Sequence, residues 1–308
     1  MDKRFSAPKK EEKKMFRGTG TAIVTPFKGQ EVDYDNLGRF IQFQIDNGVN
    51  ALIVLGTTGE APSVTAQERE EIIAFAVKKT AKKVPVIVGT GSNSTSHTVE
   101  MSSQALELGA DGVLVVTPYY NKPTQEGLFQ HYREVAKNID GPLVIYNVPG
   151  RTGANILPDT VVRCAEIENI VAVKEASGDM IQVDQLIRRI RKVRPDFRIY
   201  SGNDDQAFHL ACSGGDGVIS VLSNVAPAQT SAMINATLEG DLERGRQIHM
   251  ELFPLMRDLF VETNPIPVKY AVSRIGYCEN SLRLPLVQAS QNAMDRVDAS
   301  LAECGVSA

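Results

Sequence analysis

Lys174 ends the apolar run Ile170-Val171-Ala172-Val173, and Glu175-Ala176-Ser177-Gly178 then turns the chain away. An unbroken apolar run of this length reads as a parallel-sheet strand buried on both faces. The ammonium group is then aimed toward whatever lies at the strand's carboxyl edge. Taken alone, a lysine here more often snorkels to solvent as its strand ends. Desolvated, it loses its proton easily and becomes a nucleophile toward carbonyls. Three other groups have matching chemistry. Thr57 and Thr58 lie between Gly56 and Gly59, in a turn whose backbone N–H groups could cradle a carboxylate; an N-capping turn is an equally good account of that motif. Tyr146 ends its own apolar run, where its phenol could reach the same substrate or simply pack. Arg151, in the loop Pro149-Gly150-Arg151-Thr152-Gly153, suits bidentate capture of a second carboxylate or a structural ion pair.

These residues can act together only if the fold brings strand ends to one place. The apolar runs begin at Gly20, Ala51, Val84, Gly112, Leu143, Ile170, Phe197 and Gly217. Between them lie amphipathic stretches such as Gln67 to Lys82, Ser96 to Leu108, Gln125 to Asn138 and Met180 to Val193, with apolar residues at helical spacing. This alternation predicts an α/β chain folded as a (β/α)8 TIM barrel, rather than an open sheet of five or six strands. Barrel chemistry sits at the carboxyl ends of the strands. The runs end in Gly56–Glu60, Thr117–Asn121, Tyr146–Gly153, Lys174, Ser201–Asp205 and around Ile219, so one rim would hold them all. The barrel is expected over 15–238. Asp241 to Phe260, Pro265 to Arg274 and Pro285 to Leu301 read as helices of a C-terminal helical domain, 239–308, with Asn264 capping the second.

Residues 1–14, MDKRFSAPKKEEKK, have no apolar core and read as a disordered or artificial extension, not a secretory signal. The net charge of −4 comes without a basic stripe, which disfavours nucleic acid and anionic membrane as partners. No apolar stretch has the ~20 residues that span a bilayer. Four widely spaced cysteines without a CxxC pair fit reduced thiols in the cytoplasm.

The four histidines, His97, His131, His209 and His249, fall in helical patterns and form no HxH or HxxxH pair. A metal-dependent aldolase would need such ligands on the rim, so no metal is expected. The usual barrel phosphate site follows strands seven and eight; Asp204 and Asp205 in that loop would repel a phosphate. What remains is Schiff-base chemistry on a small 2-oxo acid such as pyruvate, the imine serving as electron sink and the derived enamine attacking an aldehyde. Lys269 is the rival nucleophile, but an appended helix makes a structural role more natural for it.

GTTGE at 56–60, TPYYNKP at 117–123, YNVPGRTG at 146–153, VKEASGD at 173–179, SGND at 201–204, GVISV at 217–221 and ETNPIPVK at 262–269 together resemble the dihydrodipicolinate synthase family, in order and over nearly the whole chain from Met15. That resemblance implies condensation of pyruvate with L-aspartate 4-semialdehyde in the diaminopimelate route to lysine, with no cofactor beyond the covalent imine. It implies Lys174 as the Schiff-base lysine, and Thr57 and Thr58 as binders of the pyruvate carboxylate. Thr58, Tyr146 and Tyr120 become the proton relay, Tyr120 reaching in from a neighbouring subunit. Arg151 becomes the binder of the semialdehyde carboxylate and a support for Tyr146, while Gly202 and Ile219 line the pocket. It further implies a homotetramer built as a dimer of dimers. Related lyases acting on N-acetylneuraminate or on 2-keto-3-deoxy sugar acids share the lysine and tyrosine, and Arg151 argues against them. A non-catalytic oxo-acid sensor is a further alternative, with no need of a nucleophilic lysine. Lysine-inhibited members carry a glutamate where His97 stands and histidines where Ala66 and Arg69 stand, although Asn93 and Tyr119 match. Feedback by lysine is accordingly expected to be weak or absent.

Overall fold

The computed structural model describes residues 15–306; the segment 1–14, expected to be an extension, lies outside the described residues. The strands are β1 (Gly18–Ala22), β2 (Phe27–Lys28), β3 (Glu31–Val32), β4 (Ala51–Val54), β5 (Val86–Gly89), β6 (Gly112–Val116), β7 (Leu143–Asn147), β8 (Ile170–Glu175), β9 (Arg198–Ser201) and β10 (Gly217–Ser220). Eight of them close into a barrel of order β1-β10-β9-β8-β7-β6-β5-β4, every neighbouring pair parallel. These are the runs expected from the sequence. The antiparallel hairpin of β2 and β3 was not expected. Two residues per strand are too few to show an alternating pattern, and only Gly29, at φ 61°, marks the turn.

Four of the helices between barrel strands begin where the sequence supplies a side-chain cap. Thr65 closes a reciprocal capping box with Glu68 ahead of Ala66–Thr80, and Ser94, Thr124 and Asp179 accept first-turn N–H groups ahead of Thr95–Glu107, Gln125–Lys137 and Met180–Val193. Alternate strand residues face opposite ways. One set, with Leu52, Val54, Val113, Ile145 and Val173, packs against the helices. The other, with Ile53, Ile87, Leu114, Val144, Ala172 and Ile219, fills the barrel. Phe16 plugs the interior, its ring stacked on Tyr200 at 4.4 Å between centroids.

After Pro227–Glu239, closed by Gly240 in the left-handed region, come Leu242–Asp258, Ile266–Arg274 and Gln291–Glu303. The first packs on Pro227–Glu239 and Asp204–Cys212 and meets the last. Asp258, buried between them, accepts from Arg257, Arg296 and Ser300, which hold its carboxyl far below the usual range. Two expectations change here. The last helix starts at Gln291 rather than Pro285, because Ser290 accepts the Ala293 N–H and fixes the first turn. The middle helix is preceded by Pro265, and Asn264 is not its cap.

Candidate active site at the strand ends

Lys174 lies on β8 opposite Tyr146 on β7 and Tyr200 on β9. It shares the interior face with Ala172, so its side chain rises inside the barrel and is only 5% exposed. The snorkelling alternative is therefore wrong for this residue. Its Nζ stands 4.3 Å from the centroid of the Tyr146 ring. The strand continues one residue beyond expectation, to Glu175, which faces the helices. Glu175 accepts from Asn147, Gln182 and the Ser177 N–H, while burial pushes its carboxyl up.

Gly202 is where it is because of the lysine. A Cβ there would stand 2.9 Å from Lys174 Cε and 2.7 Å from Ala176 Cβ. The backbone of the β9 end is thus the bed on which the lysine stem lies. Asp204, two residues on, is not a solvent-facing charge as the phosphate argument supposed. It is buried, and its carboxylate accepts the N–H groups of Val221 and Leu222 at 2.9 Å each. Burial drives its carboxyl up, opposed by the Ser220 hydroxyl, those N–H groups and the Lys174 charge. Asp204 therefore ties the β9 end to the turn after β10, and sequence reading missed this.

The Gly56–Glu60 turn differs from expectation in its mechanics. The left-handed residues are Leu55 (φ 54°) and Glu60 (φ 55°), not the glycines. Gly59 is required by close approach instead, a Cβ there meeting Leu55 N at 3.0 Å and Ile23 O at 3.2 Å. Thr57 lines a cavity of about 390 Å³ together with Tyr119, Tyr146, Arg151 and Asn264. Thr58 is buried behind that wall, its Oγ1 accepting from Asn264 Nδ2 at 3.1 Å. Arg151 donates to the Asn264 carbonyl at 3.0 Å. Asn264, offered above as a helix cap, is thus part of the site. The motif ETNPIPVK could have signalled it, but the neighbouring prolines made a cap the simpler reading.

The remaining candidates divide. Ile219 is fully buried in the interior layer and is not among the residues lining the cavity. Tyr120 is 88% exposed and is not brought to Lys174 within this chain. Lys269 is fully buried and occupied: it pairs with Glu60 at 2.7 Å, donates to the Thr25 carbonyl and sits over the Phe27 ring. His97 lies in the helix Thr95–Glu107 and pairs with Glu100 at 3.3 Å, while Arg69 donates to the Gly89 carbonyl at 2.9 Å. Among the described residues no group of three or more His, Cys, Asp or Glu is placed to hold a metal, and no helix is long and apolar enough to cross a membrane.

The whole described chain has close relatives. A protein of Kosmotoga olearia named 4-hydroxy-tetrahydrodipicolinate synthase is 65% identical over 292 residues, covering 95% of this chain and 99% of that protein. The crystal structure of dihydrodipicolinate synthase from Thermotoga maritima superimposes with a TM-score of 0.93 at 53% identity, covering 94% of this chain and 99% of that one. A chloride-inhibited dihydrodipicolinate synthase from Acinetobacter baumannii, solved with pyruvate, gives a TM-score of 0.92 at 39% identity over 95% of this chain and 100% of its own. The dihydrodipicolinate synthetase family pattern matches residues 15–304. With the barrel, the strand-end lysine and these relatives in agreement, the chain belongs to the dihydrodipicolinate synthetase family.

Proposed function

We propose that the chain is a 4-hydroxy-tetrahydrodipicolinate synthase, condensing pyruvate with L-aspartate 4-semialdehyde through an imine on Lys174. The observation that carries this reading is a buried lysine at the end of β8 with its amine 4.3 Å from the Tyr146 ring, in a member of this family. The Lys174 amine attacks the keto carbon of pyruvate and water leaves, giving the imine. Loss of a methyl proton gives the enamine, whose carbon attacks the aldehyde, and the new alkoxide takes up a proton. The amino group of the second substrate then attacks the imine carbon, releasing Lys174 as free amine and closing the ring. One water is lost overall, and no cofactor enters.

Thr57 and Thr58 hold the pyruvate carboxylate, and Gly202 lets the lysine lie flat beside it. Thr58, Tyr146 and the Tyr120 of a neighbouring copy move protons. Arg151, fixed on one side by the Asn264 carbonyl, takes the second carboxylate. Ile219 supports the floor of the site. The chain works in the cytoplasm as a homotetramer made of two dimers. Names and identities of the relatives favour this reading over N-acetylneuraminate or keto-deoxy sugar acid lyases.

The test is reduction with borohydride in the presence of pyruvate, followed by peptide mass mapping. The reduced adduct is expected on Lys174, and Lys174→Ala should abolish both trapping and turnover. An adduct on Lys269, or none, would end the proposal.

A further inference from the structure

We propose that Asn264, supplied by the C-terminal helical region, is a positioning residue that fixes the direction of proton transfer through Thr58. The inference rests on the synthase reading above and assigns a role to a residue outside the barrel strands. Asn264 is 5% exposed and makes two bonds that point different ways. Its backbone carbonyl accepts from Arg151 at 3.0 Å, and its side-chain Nδ2 donates to Thr58 Oγ1 at 3.1 Å. The second-substrate arginine and the relay hydroxyl are therefore joined through one residue, 206 positions away in sequence from Thr58.

A threonine hydroxyl has one proton to give and two lone pairs to receive with. The Asn264 amide occupies one lone pair. What is left is one lone pair and one proton, the two functions a relay group needs, and the proton cannot point back along the bond to Asn264. An aspartate in the same place would do the reverse, taking the Thr58 proton for itself. The arrangement also carries a cost. Asn264 Oδ1 is buried with no hydrogen-bond partner among the described residues, and an orphaned buried acceptor of this kind calls for an explanation. The two bonds come from different parts of Asn264, one from backbone and one from side chain. Substitution of the side chain therefore separates the relay function from the hold on Arg151.

Two variants of nearly the same size make the test: Asn264→Leu, which removes the bond, and Asn264→Asp, which reverses its direction. With the parent active on pyruvate and L-aspartate 4-semialdehyde, both are expected to lose at least about tenfold in kcat, toward the ~10²-fold worth of a positioned proton-transfer group. KM for the semialdehyde should stay near the parent value, because the carbonyl that holds Arg151 is unchanged. Borohydride trapping of pyruvate should slow in rate but reach the same extent. Should Asn264→Leu fail to fold, Asn264→Asp carries the test alone. A folded variant with parental kcat overturns the inference, as does a loss shared by kcat and KM, the mark of a merely structural residue. A parent chain that traps no pyruvate overturns the synthase reading and this inference together.

Discussion

Lys174 and Tyr146 are register partners on adjacent parallel strands, so backbone geometry alone puts amine and phenol side by side. What backbone geometry does not set is the lie of the lysine stem. That depends on Gly202, where any Cβ would intrude within 2.9 Å of Lys174 Cε. The same residue-by-residue logic applies to regulation. His97 stands on the helix Thr95–Glu107, already paired with Glu100, and offers no carboxylate to an ammonium ligand. Arg69, partly buried and bonded to the Gly89 carbonyl, adds a positive charge on the wall of the cavity that Thr57 lines, a wall His97 does not reach. A cationic amino acid would meet one favourable partner fewer, worth about 1.5–3 kcal/mol if charge-assisted, and one like charge more. Inhibition by L-lysine is therefore expected to be weak or absent at sub-millimolar concentration in a steady-state assay. Half-inhibition in the sub-millimolar range would show that another residue replaces the missing glutamate.

At the scale of elements, the Gly56–Glu60 turn and the helix Ile266–Arg274 are held together by a buried pair. Glu60, in the left-handed region, takes Lys269 at 2.7 Å and the Arg283 N–H at 3.2 Å. The Arg283 guanidinium continues to Glu68, whose carboxyl it holds down at about 2. Burial pushes the Lys269 ammonium below its ordinary range, and the Glu60 charge opposes that shift without cancelling it. Removing Lys269 takes the cation from a buried carboxyl group that then keeps the Arg283 N–H, so Lys269→Met is expected to cost about 3–5 kcal/mol in denaturant unfolding. A loss below about 1 kcal/mol, the range of an exposed pair, would mean that the ion pair is not what couples these elements. Here the sequence was legible only in part. Barrel strands and capped helices announce themselves by local pattern, because apolar periodicity and cap chemistry act over a few residues. Lys269, Asn264 and Asp204 instead take their roles from partners far along the chain, at Glu60, Thr58 and Val221. No local pattern distinguishes a cap-forming asparagine from one that reaches a distant threonine.

Tyr120 poses the question that belongs to the whole molecule. It is 88% exposed in the single chain and sits at φ 71°, a conformation that costs a non-glycine residue on the order of 1–3 kcal/mol. Such strain is retained where the surroundings or the function require it. The phenol is held out from the surface beside Tyr119, itself on the cavity wall, and under the proposed function it serves a second copy. If so, each site needs a lysine from one chain and Tyr120 from another. Tyr120→Phe should lower kcat with the fold unchanged, and Lys174→Ala should be inactive. Mixing the two variants under conditions that exchange subunits then creates sites in which a native Lys174 meets a native Tyr120. Activity above the sum of the separate variants is the expected outcome. A mixture whose subunits demonstrably exchange, by mass spectrometry of differently labelled chains, yet gains no activity would show that Tyr120 does not act across an interface.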